Sequence, residues 1–581
     1  MVEFMKNKRF FIAAVLFLMT FAVFAQVSLD PNDTFYSDVK TWEVKGLTGW
    51  LPQIRPYSVA TVKKIISQVK ENGDEKDVQL AEYYEQKFFA KGWNIGFTLG
   101  DKAVLSNKGD KLRNYLFGVP EFYGDMSLLN LVGFGYNLGI VSDGKDKDTE
   151  NYLPFSQTNP FDTYDDPFTL GPIANNINMN ANLTVGKENL YGMFGLNRIA
   201  FGPFMNDSVL LNGGQFHTGN FSFIYEGEKW GYTQVFSVLS RSEKNDQGGA
   251  FSVKPEKFMG FHSIRFTPNK YFSFSYFESS VYTNRFDPCY LLPVPYMIIQ
   301  GMYGASDNTI SGIVIDAKPV DRFQISTAFI IDDIDLDGIA KGDFNARFRF
   351  AGMIGASYAP KTKFIDLINF NYTLITPFTY SHMDPQMTMD PDVVSYYNKD
   401  NYTTRVTSLG TKLPPNSDRF YYSMTFRPVE RLKVDCALAF MRHANISESF
   451  TDEEAQRIIN ANNGCVDSNG NPTDYFFSTD GSVWTSPLTS PTSGQCNFLK
   501  QDHKMYVFQL ALAAEYSLPR YKWGNVSFAA GYMFEFIANK GVDENIYSRT
   551  TLAPAQAKEN WVANFRNVIN NYFSISVKYC Y

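Results

Sequence analysis

Phe573-Ser574-Ile575-Ser576-Val577-Lys578-Tyr579-Cys580-Tyr581 is the stretch whose reading decides the fold. Successive side chains of an extended strand point to opposite faces. Phe573, Ile575, Val577, Tyr579 and Tyr581 therefore form one apolar row, and Ser574, Ser576, Lys578 and Cys580 form a polar one. A strand greasy on one side and wet on the other is what the wall of a membrane β-barrel requires, because closure pairs every backbone group while the two faces meet lipid and water.

The same two-residue rhythm runs outward from that strand. Trp93, Ile95, Phe97 and Leu99 alternate with Asn94, Gly96 and Thr98. Phe221, Phe223 and Tyr225 alternate with Ser222 and Glu226, broken once by Ile224. Trp230, Tyr232, Phe236 and Val238 share a face of the next run, reached through the tight connection Gly227-Glu228-Lys229. Phe272, Phe274 and Tyr276 alternate with Ser273 and Ser275, and Phe323, Ile325 and Phe329 with Gln324 and Ser326. Long polar segments at 142–172, 383–401, 444–504 and 538–559 interrupt the strands. Short turns at one end and long loops at the other are the signature of a barrel inserted from the periplasm, and a chain of this length accommodates roughly 16 to 20 strands. Composition agrees: 16% of the 581 residues are aromatic, yet mean hydropathy is only -0.24. A terminal strand ending on an aromatic residue also resembles the assembly signal of outer-membrane barrels in general.

The opposite end of the sequence carries an export signal. Lys6, Lys8 and Arg9 precede an apolar run over 10–24, and Val23 and Ala25 supply the small residues before a cut, leaving Gln26 first. Beyond residue 25 no stretch reaches the 18 or more apolar residues of a spanning helix. Ser58 reads as an N-cap for Val59, Val62, Ile65, Ile66 and Val69 at helical spacing, ended by Glu71-Asn72-Gly73. A second amphipathic piece covers about 75–90, with Leu80, Tyr84 and Phe88 on one face. The expected organisation is a signal peptide at 1–25, a periplasmic helical element of one or two helices at 26–90, and an all-β, outer-membrane antiparallel barrel at 91–581.

Charge and motif content exclude several chemistries. Losing Glu3, Lys6, Lys8 and Arg9 with the signal takes the chain from 53 basic and 60 acidic residues to 50 and 59, a net charge of -9. That argues against a nucleic-acid partner. The five His residues fall in no hydrolase, zinc or phosphate-loop motif, so no enzyme activity and no cofactor are expected. Asp333, Asp335, Asp337 and Gly338 match the first half of a calcium loop, but the twelfth position is Phe344 where a bidentate Glu is needed. An acidic hairpin tip is the alternative. Arg347 and Arg349 alternate with Phe348 and Phe350, which places both cations in the lumen if the Phe residues face lipid. None of the five Cys residues forms a C-x-x-C pair; Cys465 and Cys496 share one polar stretch and are candidates for a loop disulfide in an oxidising compartment.

A series of short motifs over 190–445 resembles the capsule assembly protein Wzi family of outer-membrane barrels. In order they are Gly195-Leu196-Asn197-Arg198, Ala200-Phe201-Gly202-Pro203, Ser208-Val209-Leu210-Leu211, and Phe261-His262-Ser263-Ile264-Arg265-Phe266-Thr267-Pro268. Tyr290-Leu291-Leu292-Pro293, Asp307-Asn308 with Gly312, and Ile330-Ile331-Asp332-Asp333 follow. Thr376-Pro377-Phe378-Thr379-Tyr380-Ser381-His382, Leu409-Gly410, Pro415-Asn416-Ser417-Asp418 and Met441-Arg442-His443 complete the set. The resemblance implies a barrel of about 18 strands that is not an open pore and tethers exported capsular polysaccharide as a lectin. It transfers no binding residue, since ligand contacts would lie in the individual long loops. There, Tyr164 with Asp165 and Asp166, Tyr475 with Asp474, and Trp484 pair exposed aromatics with carboxylates, as sugar binding needs. The expected partners are surface polysaccharide, outer-membrane lipid and, during biogenesis, the barrel-assembly machinery. The alternative function is a diffusion porin or transport channel.

Overall fold

Asn94–Ser106 pairs antiparallel with both Leu112–Leu128 and Arg566–Cys580, so the first and last long strands seal one continuous wall. In this computed structural model the described residues are 30–581 apart from 90–92, 109–111, 129–131, 145–152, 158–167, 188, 205–206, 241–255, 304–306, 343–347, 383–399, 406, 430, 464–496, 520, 523 and 548–549. Among them, eighteen strands make the closed barrel, each bonded antiparallel to its neighbours in the chain. The connections alternate in length. Those at 227–229, 270–271 and 321–322 mark one end, and those at 284–307, 376–416 and 444–504 mark the other.

Parity decides what each face shows. On the last strand Phe573, Ile575 and Val577 are exposed, Ile575 to 64%, while Ser574 and Ser576 between them are more sheltered. Phe221, Phe223 and Tyr225 are likewise exposed, and Ser222 is buried completely. The outer surface is therefore apolar and its strands carry the polar row inward, the arrangement a barrel in lipid needs. No helix among the described residues is long and apolar enough to cross a membrane.

Three helices precede the wall where one or two were expected: α1 (Thr34–Lys45), α2 (Val59–Asn72) and α3 (Glu75–Phe89). Asp33 caps α1 by accepting from the Phe35 N–H at 2.9 Å, and Gly46 ends it at φ +78°, a left-handed conformation glycine adopts without steric cost. Ser58 caps α2 through the Thr61 N–H at 3.2 Å. Phe35, Tyr36, Trp42, Val62, Ile66, Tyr84 and Phe88 form their common core. The sequence reading missed α1 because this helix buries Asp38, Lys40 and Glu43 as well as its apolar residues, so no single apolar stripe marks it. It lies between its partner helices and the wall.

The long connections also depart from the expected polar outer loops. Residues 198–204 and 207–217, the described parts of 376–416, and parts of 444–463 and 541–565 turn into the lumen and pack a second core there. Phe201, Val209, Leu210, Leu211, Tyr380, Tyr402, Leu409, Ile446 and Ile458 are all nearly or fully buried. Ile224, the residue that broke the alternation, points inward and belongs to this core, as do Val235, Phe261, Phe277 and Ile330 on neighbouring strands.

Candidate functional site

The lumenal plug is one hydrogen-bonded body assembled from segments far apart in sequence. Ile54–Arg55, just before α2, pairs with Ala200–Phe201 as a two-stranded ribbon inside the barrel. The Gly202 N–H donates to Gln53 O at 2.9 Å, and the Phe201 N–H to Leu211 O at 3.0 Å. The Asn212 N–H reaches Leu409 O at 2.7 Å, and the Tyr402 N–H reaches Tyr380 O at 2.8 Å. Asn416 continues the network, its amide donating to Ala444 O at 2.7 Å, and Asn445 donates to Val542 O at 3.0 Å. Backbone polar groups removed from water must find such partners, and here the partners come from other inward loops.

Wall side chains anchor the plug. Arg265 donates to Leu51 O at 2.6 Å, Ser275 to Gln53 Oε1 at 2.6 Å, and Lys257 to Asn401 Oδ1 at 2.8 Å. Tyr402 donates to Ser279 Oγ at 2.9 Å, and Arg419 pairs with Asp207. Phe378 and Tyr380 sit at φ +61° and +75°, a region bulky residues rarely adopt. Both are buried, and the Tyr380 N–H donates to Asp332 Oδ2 on the wall at 2.8 Å. Surroundings that hold such strain are typical of built sites.

The motifs behind the family resemblance converge on this plug more than on the outer surface. Asn197 and Arg198, Ala200-Phe201-Gly202, Val209-Leu210-Leu211, Phe378 to Ser381, Leu409-Gly410 and Asn416 are all lumenal. Asn197 ends the wall strand Leu190–Asn197, and Arg198 opens the inward connection at the long-loop end. Packing and lumenal pairing are what these residues do. The recoverable signal was the apolar content of this link, Ile199, Phe201 and the triplet Val209-Leu210-Leu211.

The remaining predicted residues divide cleanly. Arg349 is buried, pairs with Asp333 at 3.4 Å, and lies 5.7 Å from the ring centre of Phe378, so its guanidinium is spent on the plug. Asp335 accepts from the Gly338 N–H at 3.0 Å, and Asp337 pairs with Lys341. The three carboxylates thus have separate partners around the short helix Leu336–Ala340, and among the described residues no group of three His, Cys, Asp or Glu side chains is set to hold a metal ion. Arg347, Tyr164, Asp165, Asp166, Asp474, Tyr475, Trp484, Cys465 and Cys496 lie outside the described residues.

Sequence reasoning gave no sign of a cavity of about 630 Å³ at the short-turn end, between the helices and the inner wall. Tyr83 and Lys87 of α3 face it, with Glu121, Tyr123, Asn178 and Lys578 on the wall. Lys87 pairs with Asp33 at 3.1 Å, and Lys578 with Glu121 at 3.0 Å. Burial alone would push the Asp33 carboxyl up, but the Lys87 charge and the Phe35 N–H outweigh it and hold it below its ordinary value. Amides, phenols and balanced charges give this cavity the chemistry to hydrogen-bond a polyhydroxylated or zwitterionic ligand.

A closed eighteen-strand antiparallel barrel with an apolar exterior and a filled lumen defines this chain as an outer-membrane β-barrel protein, located in the cell outer membrane. Among solved structures it is similar to Wzi, an outer-membrane protein involved in group 1 capsule assembly in Escherichia coli and described as a carbohydrate-binding β-barrel. The TM-score is 0.51 at 9% identity, over 95% of this chain and 99% of that one. The outer membrane protein OprD from Pseudomonas aeruginosa matches with a TM-score of 0.40 at 10% identity, over 85% of this chain and 95% of that one. At 9% identity the likeness to Wzi is one of fold. No protein-family model and no curated protein matches the sequence.

Proposed function

We propose that this barrel holds surface polysaccharide of the capsular type at the outer membrane and does not act on it chemically. The observation that carries the proposal is the plug: a core of Val209, Leu210, Leu211, Tyr380, Tyr402 and Leu409 occupies the lumen that a diffusion channel would keep open. A barrel filled in this way serves as a platform, and its long-loop end is the surface available to a polymer outside the cell. The motif resemblance to the Wzi family and the fold shared with a carbohydrate-binding barrel support the same reading. Export through residues 1–25, periplasmic placement of the helices, and insertion by the barrel-assembly machinery complete it. Tyr164, Asp165, Asp166, Asp474, Tyr475 and Trp484 are the proposed sugar contacts.

Deleting the gene and comparing polymer retained on cells with polymer shed into the medium tests the tether. More shed polymer is expected, and unchanged retention removes the proposal. The purified barrel in a planar bilayer separates the porin reading, because a plugged barrel gives no stable open level.

A further inference from the structure

Gln234, His262 and Glu278 occupy one register row across three adjacent wall strands, Gln234 opposite His262 and His262 opposite Glu278. Parity places all three on the outside. Trp230 and Val238 share Gln234's face, Ile264 shares that of His262, and Tyr276 that of Glu278; these four are exposed. The opposite face of the same strands meets the plug through Val235, Phe261, Arg265 and Ser279. An amide, an imidazole and a carboxylate therefore look toward lipid, where unpaired polar groups are unfavourable.

They are not bare. Each is 6% exposed or less, because the connection after Thr283 folds back down the outside of the barrel. Gln234 donates to Tyr290 O at 2.9 Å and to the Tyr296 hydroxyl at 2.8 Å. Glu278 accepts from the Tyr296 N–H and from the Tyr276 hydroxyl, and lies 3.3 Å from His262 Nε2. The Tyr296 ring centre is 4.3 Å from that of the imidazole. Gly260 makes the close approach possible, since a Cβ there would stand 2.9 Å from the Tyr290 Cβ. Glu278 lies five residues below Thr283. At about 3.4 Å per residue this is roughly 17 Å along the strand, or about 13 Å of depth at a tilt near 40°. On the far side of the barrel Leu438 stands the same five residues below His443 and is 39% exposed.

The outer surface of this strap is apolar. From residue 288 to 303 it contains no charged side chain, and Leu292, Val294, Met297, Ile298 and Met302 are exposed, Met302 to 77%. In water such a patch would be out of place on a protein that covers its other apolar surface with lipid.

We propose that residues 288–303 form a membrane-seated strap whose outer face lies against acyl chains of the outer leaflet. It carries the barrel's lipid-facing belt across the polar row Gln234–His262–Glu278. Bilayer lipid is the occupant because the patch is continuous with the exposed apolar wall on either side and lies at the depth where Leu438 is bare. The strap pins one long connection at a fixed height in the membrane while its inner face pairs with Gln234 and Glu278 and covers the His262 ring.

The test uses the full chain, with its five Cys residues replaced by Ser, in phospholipid vesicles. Nitroxide labels are placed singly through Ile298→Cys, Met302→Cys and, as the lipid-facing reference, Leu438→Cys. Accessibility is read with oxygen, which concentrates in hydrocarbon, and with a water-soluble nickel chelate. Both strap labels should show the oxygen-over-nickel preference of the Leu438 label. A nickel preference would place the strap in water and overturn the proposal. Exclusion of both quenchers would overturn it equally, by showing that a second copy of the chain covers the patch. Heat-dependent migration of each labelled barrel on a gel confirms that it has folded, and two strap positions guard against the loss of one.

Discussion

Arg427 ties the helices to the wall, and replacing it measures how firmly. Its Nη2 donates to Asp38 of α1 at 2.7 Å and its Nε to Asp366 of the facing strand at 2.9 Å; all three side chains are buried. Removing one partner of a buried pair costs about 3–5 kcal/mol, because the charge left behind has lost its compensation. In Arg427→Met two carboxylates are left, but Asp366 keeps Lys76 at 2.6 Å and Asp38 keeps the Tyr84 hydroxyl at 2.7 Å. The lower end of that range, about 3 kcal/mol, is therefore expected. This corresponds to a roughly 150-fold rise in the population in which α1 has come away from the wall. Amide hydrogen exchange reads that local opening directly, and peptides covering α1 should exchange faster by about that factor while those from the wall do not. As a control, Lys70→Ala breaks the exposed Lys70–Glu85 pair and should change exchange by no more than the ~1 kcal/mol of a surface pair. If α1 exchanges in Arg427→Met as it does in the control, the buried fork does not hold the helices and the argument is wrong.

Changing Val209, Leu210 and Leu211 together to Ser removes apolar volume from the centre of the plug, at a cost of about 2–5 kcal/mol for each large residue truncated. Intermittent conducting levels should then appear in planar bilayers, and continued silence would mean that other segments close the lumen alone. Ile575→Arg puts a charge on the lipid face and should lower barrel stability in vesicles by about 2–4 kcal/mol on urea unfolding, whereas Ser576→Arg on the inward row should cost less; equal losses would contradict the assigned parity. Acid should loosen the helices. Burial alone would raise the Glu43 carboxyl, but Lys40, Lys318 and the Leu51 N–H together hold it below its ordinary value, and Asp33 is likewise held below its own. A depressed folded value means stabilisation that is present above the unfolded value and lost as pH falls through the folded one. Asp77 acts in the opposite sense, because burial outweighs Lys45 and raises it. Partial burial would raise Asp74 too, but the Asp77 N–H and Lys45 outweigh it and hold it low. With Asp33, Glu43 and Asp74 against Asp77, protease resistance of the helical region should hold from neutral pH to about 5 and fall below about 4; resistance unchanged at pH 3 would refute this balance.

The wall was legible because its signal is local. In a barrel each strand meets lipid on one side along its whole length, so Phe573, Ile575 and Val577, or Phe221, Phe223 and Tyr225, announce their face without reference to any other part of the chain. α2 and α3 were legible for a related reason, since each packs one stripe and caps its own end. α1 was hidden by being enclosed on nearly all sides. The plug was hidden differently: Val209-Leu210-Leu211 is too short to show a period, and Tyr380 and Tyr402 look like ordinary loop aromatics until their partners are known. Ile224 gave a trace of it, as an apolar residue on the row that should have been wet.

By itself the sequence determined strands with a two-residue rhythm, a helical element before them, and alternating short and long connections. Each of these follows from interactions between near neighbours along the chain. Only the tertiary structure decided which way the long connections turn. The link after Asn197 enters the lumen and that after Thr283 descends the outer face, although both carry apolar residues between polar ones. The choice depends on what waits on the wall: an apolar inner row for the first, and the outward Gln234, His262 and Glu278 for the second. Those partners are brought together by strand register, a relation between distant residues that no local pattern records.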